Sequence, residues 1–157
     1  MSYLHFRIYT SLSILLTLMS CKGNKREFIA LDHMTFTNSY YQDRVKISYY
    51  ILIANPNAQD GQLKNSIVRY VKQRQANSSF MKEAKTSSLN FVFYEKTGNT
   101  SYFINNDNSN NAFYSEEISH YKGDHIANYS IAKCDGGFEE KLYFLEAPVE
   151  VVFNSCK

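Results

Sequence analysis

The densest group of side chains able to do chemistry is His120-Tyr121-Lys122-Gly123-Asp124-His125, which holds two imidazoles and a carboxylate. A zinc site on a helix wants histidines at i and i+4, and one built from loops wants further ligands close by. Here the imidazoles stand five apart with Asp124 adjacent, which fits surface loop residues better than a metal centre. His120, Asp124 and His125 are therefore weak metal candidates, and neither a metal nor a cofactor is expected. A Cys–His nucleophile needs an activated, reduced thiol, yet Cys134 has Asp135 beside it and no histidine nearby in sequence. No Gly-x-Ser-x-Gly elbow, His-Glu-x-x-His or phosphate loop is present. Glu116-Glu117 and Glu139-Glu140 are carboxylate pairs of the kind usually found on solvated surfaces. No catalytic residue is assigned, and the chain reads as non-enzymatic.

Cys21 is different, because its surroundings give it a role. Met1–Arg7 is short and carries one fixed positive charge, at Arg7, and Ile8–Met19 is mostly apolar. Lys22-Gly23-Asn24-Lys25-Arg26 is then abruptly polar. A basic start, a short apolar run and a small residue before the cut make an export signal. A membrane span would need roughly 20 apolar residues for a core of about 30 Å. The run has 12, four of them Thr or Ser. It has no amphipathic stripe either, which excludes a core helix.

Leu18-Met19-Ser20-Cys21 resembles the bacterial lipobox, with an aliphatic residue, a permissive one, a small one and then the obligatory Cys. The likeness covers only the first 21 residues, and in this it is similar to small Bacteroidetes-type lipoproteins. It implies that the Cys21 thiol receives a diacylglyceryl group and that cleavage falls between Ser20 and Cys21. The new amine would then be acylated, typically with palmitate. It also implies a short spacer before the folded domain. Each buried methylene contributes about 0.8 kcal/mol, so one fatty chain holds marginally and two or three hold for good. The protein would sit in the cell envelope, anchored to the inner or outer membrane and facing the periplasm or the cell surface.

Removing residues 1–20 leaves 137, enough for one domain with a modest core. The formal charge falls from +2 to +1 with the loss of Arg7, leaving 16 basic residues against 15 acidic. No basic cluster lies beyond residues 22–26, so nucleic acid is not an expected partner. In an exported protein the two remaining cysteines, Cys134 and Cys156, read as a disulfide. The bridge would close a loop of about 22 residues and contribute roughly 3 kcal/mol in the chain-entropy model.

The elements that must position these residues are mostly strands. Tyr, Phe and Ile with many Asn turns favour β structure over a helical bundle. Val45–Ala54 alternates with a period of two, and Asn55-Pro56-Asn57 stops it. Tyr49 and Tyr50 are neighbours on that strand and point to opposite faces, so they cannot both be core and one is expected on a half-wet sheet face; Tyr40-Tyr41 repeats the pairing. Ala58–Gln75 reads as the long helix, with Leu63, Ile67, Tyr70, Val71 and Arg74 on one stripe. Lys64, Arg69, Lys72 and Gln73 occupy its other face. Asn77–Ser88 is undecided, with Phe80, Met81 and Ala84 suited to a helical turn. Leu89–Lys96 and Thr100–Asn105 are expected to form a hairpin across Thr97-Gly98-Asn99. Asn105–Asn111 is a polar loop, and residues 113–122 suit either a short helix or a strand. Strands from Ile126, over Lys141–Glu146 and over Val149–Phe153, with a turn at Asp135-Gly136-Gly137, make a meander. Its last strand would bring Cys156 back towards Cys134.

The expected fold is therefore α+β, with one long helix packed on a curled antiparallel sheet of about five strands. Its element order is cystatin-like in outline only, and such likeness carries no function. The expected organisation is a signal peptide over 1–20, the lipidated Cys21 and tether over 21–28, and one domain over 29–157. The expected function is a non-enzymatic binding module in the envelope, membrane-held through Cys21, with a protein partner. An immunity-type protein is one version. A metal-dependent or hydrolytic enzyme and a structural envelope component are the alternatives.

Overall fold

The computed structural model of the chain describes residues 25–40, 44–57, 62–76, 86–106, 111–145 and 147–157. The alternating segment becomes the longest strand. In chain order the elements are β1 (Glu27–Ala30), a 3-10 turn (Asp32–Met34), β2 (Phe36–Tyr40), β3 (Arg44–Ala54), α1 (Leu63–Ala76) and β4 (Thr86–Glu95). Then come α2 (Tyr102–Asn105), α3 (Asn111–Ser119), a second 3-10 turn (Lys122–Asp124), β5 (His125–Cys134), β6 (Gly137–Phe144) and β7 (Glu150–Asn154). The protein is a mixed α+β structure around one open seven-stranded sheet.

The strand order is β1-β3-β4-β5-β6-β7, with β2 also on β3. The two short strands share one side of β3, β1 against Ile51–Ala54 and β2 against Arg44–Ser48. All pairs are antiparallel except β3–β4. A parallel pair needs a long crossover, and α1 lies within it. Sheet size and direction thus correct the expectation of about five antiparallel strands. β1 begins at Glu27, inside the stretch 21–28 expected to be tether, because Glu27 and Phe28 take up partners at Ala54 and Ile53.

The helix stripe packs as its spacing requires. Ile67 and Val71 are fully buried against Ile51, Ile53, Phe91, Phe93, Ala127, Tyr129 and Leu142, with Leu63, Val68 and Tyr70 at the margin. Residues 58–61, its expected first turn, lie outside the described residues, as do 77–85 and 107–110. The opposite sheet face is covered too. Leu52, Val92 and Tyr94 pack with Leu31, Met34, Phe103, Tyr114 and Ile118 from the first 3-10 turn, α2 and α3. Residues 113–122 resolve accordingly into the end of α3 and the turn after it.

This second layer settles the two tyrosines. Tyr49 stacks on Phe91 at 5.0 Å on the α1 face, with the Arg74 guanidinium 5.8 Å above its ring. Tyr50 is half-buried against the other cluster, so neither ring depends on an exposed sheet face. Tyr41 and the side chain of Tyr40 lie outside the described residues.

The hairpin expected over residues 89–105 does not form. β4 is flanked by β3 and β5, so residues 100–105 have no free edge beside it. A hydroxyl cluster turns the chain instead. The Thr97 amide donates to Thr100 Oγ1 at 2.8 Å, and Thr100 Oγ1 donates to the Glu95 carbonyl at 2.6 Å. Ser101 Oγ donates to the Thr97 carbonyl at 2.5 Å, and α2 follows.

The meander β5–β6–β7 forms as expected, although β6 starts at Gly137 where Lys141 was expected and ends at Phe144, and it closes on a bridge. Cys134 and Cys156 are disulfide-bonded with Cα atoms 5.6 Å apart. Gly136 has φ +73°, a left-handed turn position that suits glycine. At Gly137 a Cβ would collide with the Ser155 backbone carbonyl, so the close approach of the last residues to β6 requires glycine there.

Candidate functional site

The signal peptide, the Ser20–Cys21 cleavage position and Cys21 itself lie outside the described residues. Among the described residues, no helix is long and apolar enough to cross a membrane. His120, Asp124 and His125 each have their own setting. Asp124 accepts a hydrogen bond from Thr97 Oγ1 at 3.0 Å. His125 Nε2 and Asn128 Oδ1 are 3.2 Å apart, and the His125 ring meets Tyr94 edge-on at 5.3 Å. His120 is exposed after α3. Among the described residues, no three His, Cys, Asp or Glu side chains gather around a common point fit for a metal ion.

The carboxylate pair at 139–140 is split by the strand. Glu139 is half-buried and pairs with Lys141 at 2.6 Å. Glu140 is only 4% exposed, which corrects the expectation of a solvated pair. It accepts from the buried Tyr129 hydroxyl, and Lys72 Nζ reaches its two oxygens at 2.7 and 2.8 Å. The Lys72 ammonium also lies 5.4 Å from the Phe153 ring centre. Burial, and next the Glu140 hydrogen bond and charge, push the Tyr129 phenol far up. A buried carboxylate unpartnered would be very costly; here it holds a phenol and an ammonium from β5 and α1. The signal was present in sequence, since Phe138, Glu140, Leu142 and Phe144 fall on one side of the alternation. Lys72 stays on the solvent-facing side assigned to it, 46% exposed, while its ammonium reaches inward to Glu140. The triad's groups are committed to one another, so it reads as a structural clamp.

The other unexpected feature is a polar half of the sheet. Directly paired residues point to the same face, so register alone gives the rows. One runs Phe36, Ser48, Asn90, Ser130, Lys141, Val151. The next runs Asn38, Lys46, Ser88, Ala132, Glu139, Asn154. They lie on the α3 side, but the apolar cluster there ends at Leu52, Val92 and Tyr94. Asn90, Ser130, Lys141, Ser88 and Ala132 are half-buried, and Val151 at the β7 end is exposed. Two phenols lie in the apolar half, Tyr50 on the same-face rung next to Ser48–Asn90 and Tyr94 one such rung further. Burial raises Tyr50 despite its hydrogen bond with Ser115, and burial with the nearby Tyr50 pushes Tyr94 up to about 12. Polar side chains across four strands, Ser48 buried and Asn90, Ser130 and Lys141 half-buried, run between Phe36 and Val151. In sequence, Ser48, Asn90 and Ser130 were only the polar phase of three alternating strands. Their alignment came from the strand order. No protein-family model, curated protein or solved structure matches the chain.

Proposed function

We propose that the chain is a lipid-anchored, non-enzymatic binding module of a bacterial cell envelope, held by lipid on Cys21 and receiving a protein partner on the polar half of its sheet. The observation that carries the binding role is the row Phe36, Ser48, Asn90, Ser130, Lys141, Val151, built by the register of six strands. Polar contacts with aromatic and aliphatic ends suit protein recognition. The envelope setting rests on the lipobox-like Leu18-Met19-Ser20-Cys21 and is supported by the Cys134–Cys156 bridge, which belongs to oxidising compartments. An immunity-type protein that neutralises a toxin entering the periplasm is one concrete form of this function.

The test places a photo-crosslinking residue at Ser130 or Lys141, and separately at Arg69 on the exposed side of α1. The protein is expressed in its native envelope. A discrete adduct formed from Ser130 and Lys141 but not from Arg69 is expected. Adducts only from Arg69, or none at all, would overturn the assignment of this face.

A further inference from the structure

The fixed part of the chain begins very close to Cys21. Arg26 Nη1 donates to Ser66 Oγ at 2.8 Å and Nη2 to the Pro56 carbonyl at 3.0 Å. Asn55 Nδ2 donates to the Lys25 carbonyl at 3.1 Å. Lys25 is thus held beside the Asn55-Pro56 turn and the start of α1. Four Cα steps separate it from Cys21, a reach of at most about 14 Å. A lipid on Cys21 would hold this end of the domain within that reach of the bilayer. The end of the sheet around Lys25 would then lie nearest the membrane.

Register identifies that end. Glu27 pairs with Ala54, and Ile53 with Glu95. Tyr94 pairs with His125, Ala127 with Phe144 and Leu142 with Glu150. The chain just beyond these rungs is Lys25, Asn55-Pro56, Lys96, the Lys122–Asp124 turn, Leu145 and Val149. Lys64 and Glu150 pair with each other there. Among the described residues, the other exposed charges on these strand-end segments are Lys25, Lys96 and Lys122 against Glu27. Leu145 and Val149 are 48% and 57% exposed, and Tyr102, in the helix leading off β4, is 52% exposed. Exposed aliphatics, an aromatic and lysines are the composition of a surface lying on headgroups.

We propose that this end of the sheet is membrane-apposed, with Leu145 and Val149 set into the headgroup layer of a phospholipid bilayer and Lys25, Lys96 and Lys122 among the phosphates. The proposal rests on lipidation of Cys21. It also sets the height of the rest. β5 spans His125–Cys134, about 30 Å at 3.3 Å per residue, so the disulfide end stands that far from the membrane. The polar rows lie between these two ends.

The chain contains no tryptophan, so one introduced indole reports alone. Val149→Trp and Asp135→Trp variants of the full acylated chain are reconstituted into phosphatidylethanolamine–phosphatidylglycerol vesicles containing a doxyl-labelled phospholipid. Both substituted positions are exposed. The expected result is blue-shifted, several-fold stronger quenching for Val149→Trp and negligible quenching for Asp135→Trp. Equal quenching, or none at Val149→Trp in protein that floats with the vesicles, would overturn this orientation while leaving the anchor intact. Protein that does not float, with no acyl mass on Cys21, would end the anchoring reading and this proposal together.

Discussion

Glu140 shows how a single residue can be structural while carrying a charge. Its carboxylate is buried and accepts from Tyr129 and Lys72, whereas Lys72 is itself half-exposed and can return to water. Removing only the carboxylate, by Glu140→Leu, would strand the Tyr129 hydroxyl in the core at a cost of about 1–3 kcal/mol. Adding Tyr129→Phe should recover part of that loss, because the orphaned hydroxyl is then gone. Urea unfolding of the two single variants and the double variant gives the coupling, and strictly additive losses would dismiss the clamp. The same phenols give the protein an alkaline limit. Tyr94 and Tyr129 are both raised above the ordinary 10.0, so the folded state favours the neutral phenol. Their contribution is complete below pH 10 and is lost as pH rises through the folded values, about 12 for Tyr94. The unfolding midpoint should therefore fall between pH 10 and about 12, and Tyr94→Phe should flatten that fall. A midpoint that stays level across this range would contradict the burial of both phenols.

At the scale of elements, the meander and its bridge are the most exposed to test. The Cys134–Cys156 disulfide closes a separation of 22 residues, and reduction should lower stability by about 3 kcal/mol. Denaturation with and without reductant measures this, and an unchanged midpoint would mean that β7 is held by its ladder alone. What sequence made legible here were elements with strong local patterns. The alternation of β3, the stripe of α1 and the Asp135-Gly136 turn each specify themselves from nearby residues. The bridge reads from the pair of cysteines left in an exported chain, and the meander agrees, since three antiparallel strands return the chain end to the turn. The failures were decisions made by distant partners. Leu89–Lys96 and Thr100–Asn105 have hairpin spacing, but both sides of β4 go to strands distant in sequence, and Thr97 and Thr100 find hydroxyl partners instead. Glu27 and Phe28 sit where a polar stretch gives way to Phe28-Ile29-Ala30-Leu31, and they pair with the edge of β3. Glu140 reads as solvated beside Glu139, but its alternation with Leu142 places it on the buried side of β6.

For the whole molecule, the layout assigns the sheet's parts to different surroundings. One face is covered by α1, and the other is apolar near Leu52 and Val92 and polar from Ser48 to Lys141. The candidate face was not legible because it belongs to no local motif; it exists only once six strands are in order. The reverse holds for Cys21, whose meaning lies wholly in the twenty residues before it. Pairing of Cys134 with Cys156 leaves Cys21 as the odd thiol of three, and an unpaired, reactive thiol is a liability in an oxidising compartment unless something caps it. Lipid would cap it and hold the domain at the bilayer. A Cys21→Ser variant should therefore take up no labelled fatty acid and accumulate as an uncleaved precursor, about 20 residues longer than the mature chain by mass, since signal cleavage of this type follows lipid attachment. Its fold should be unaffected, with the Cys134–Cys156 bridge formed, because Arg26 and β1 hold the start of the domain without the anchor. Normal processing of that variant, or labelling that persists, would overturn the anchor and with it the orientation of the sheet on the membrane.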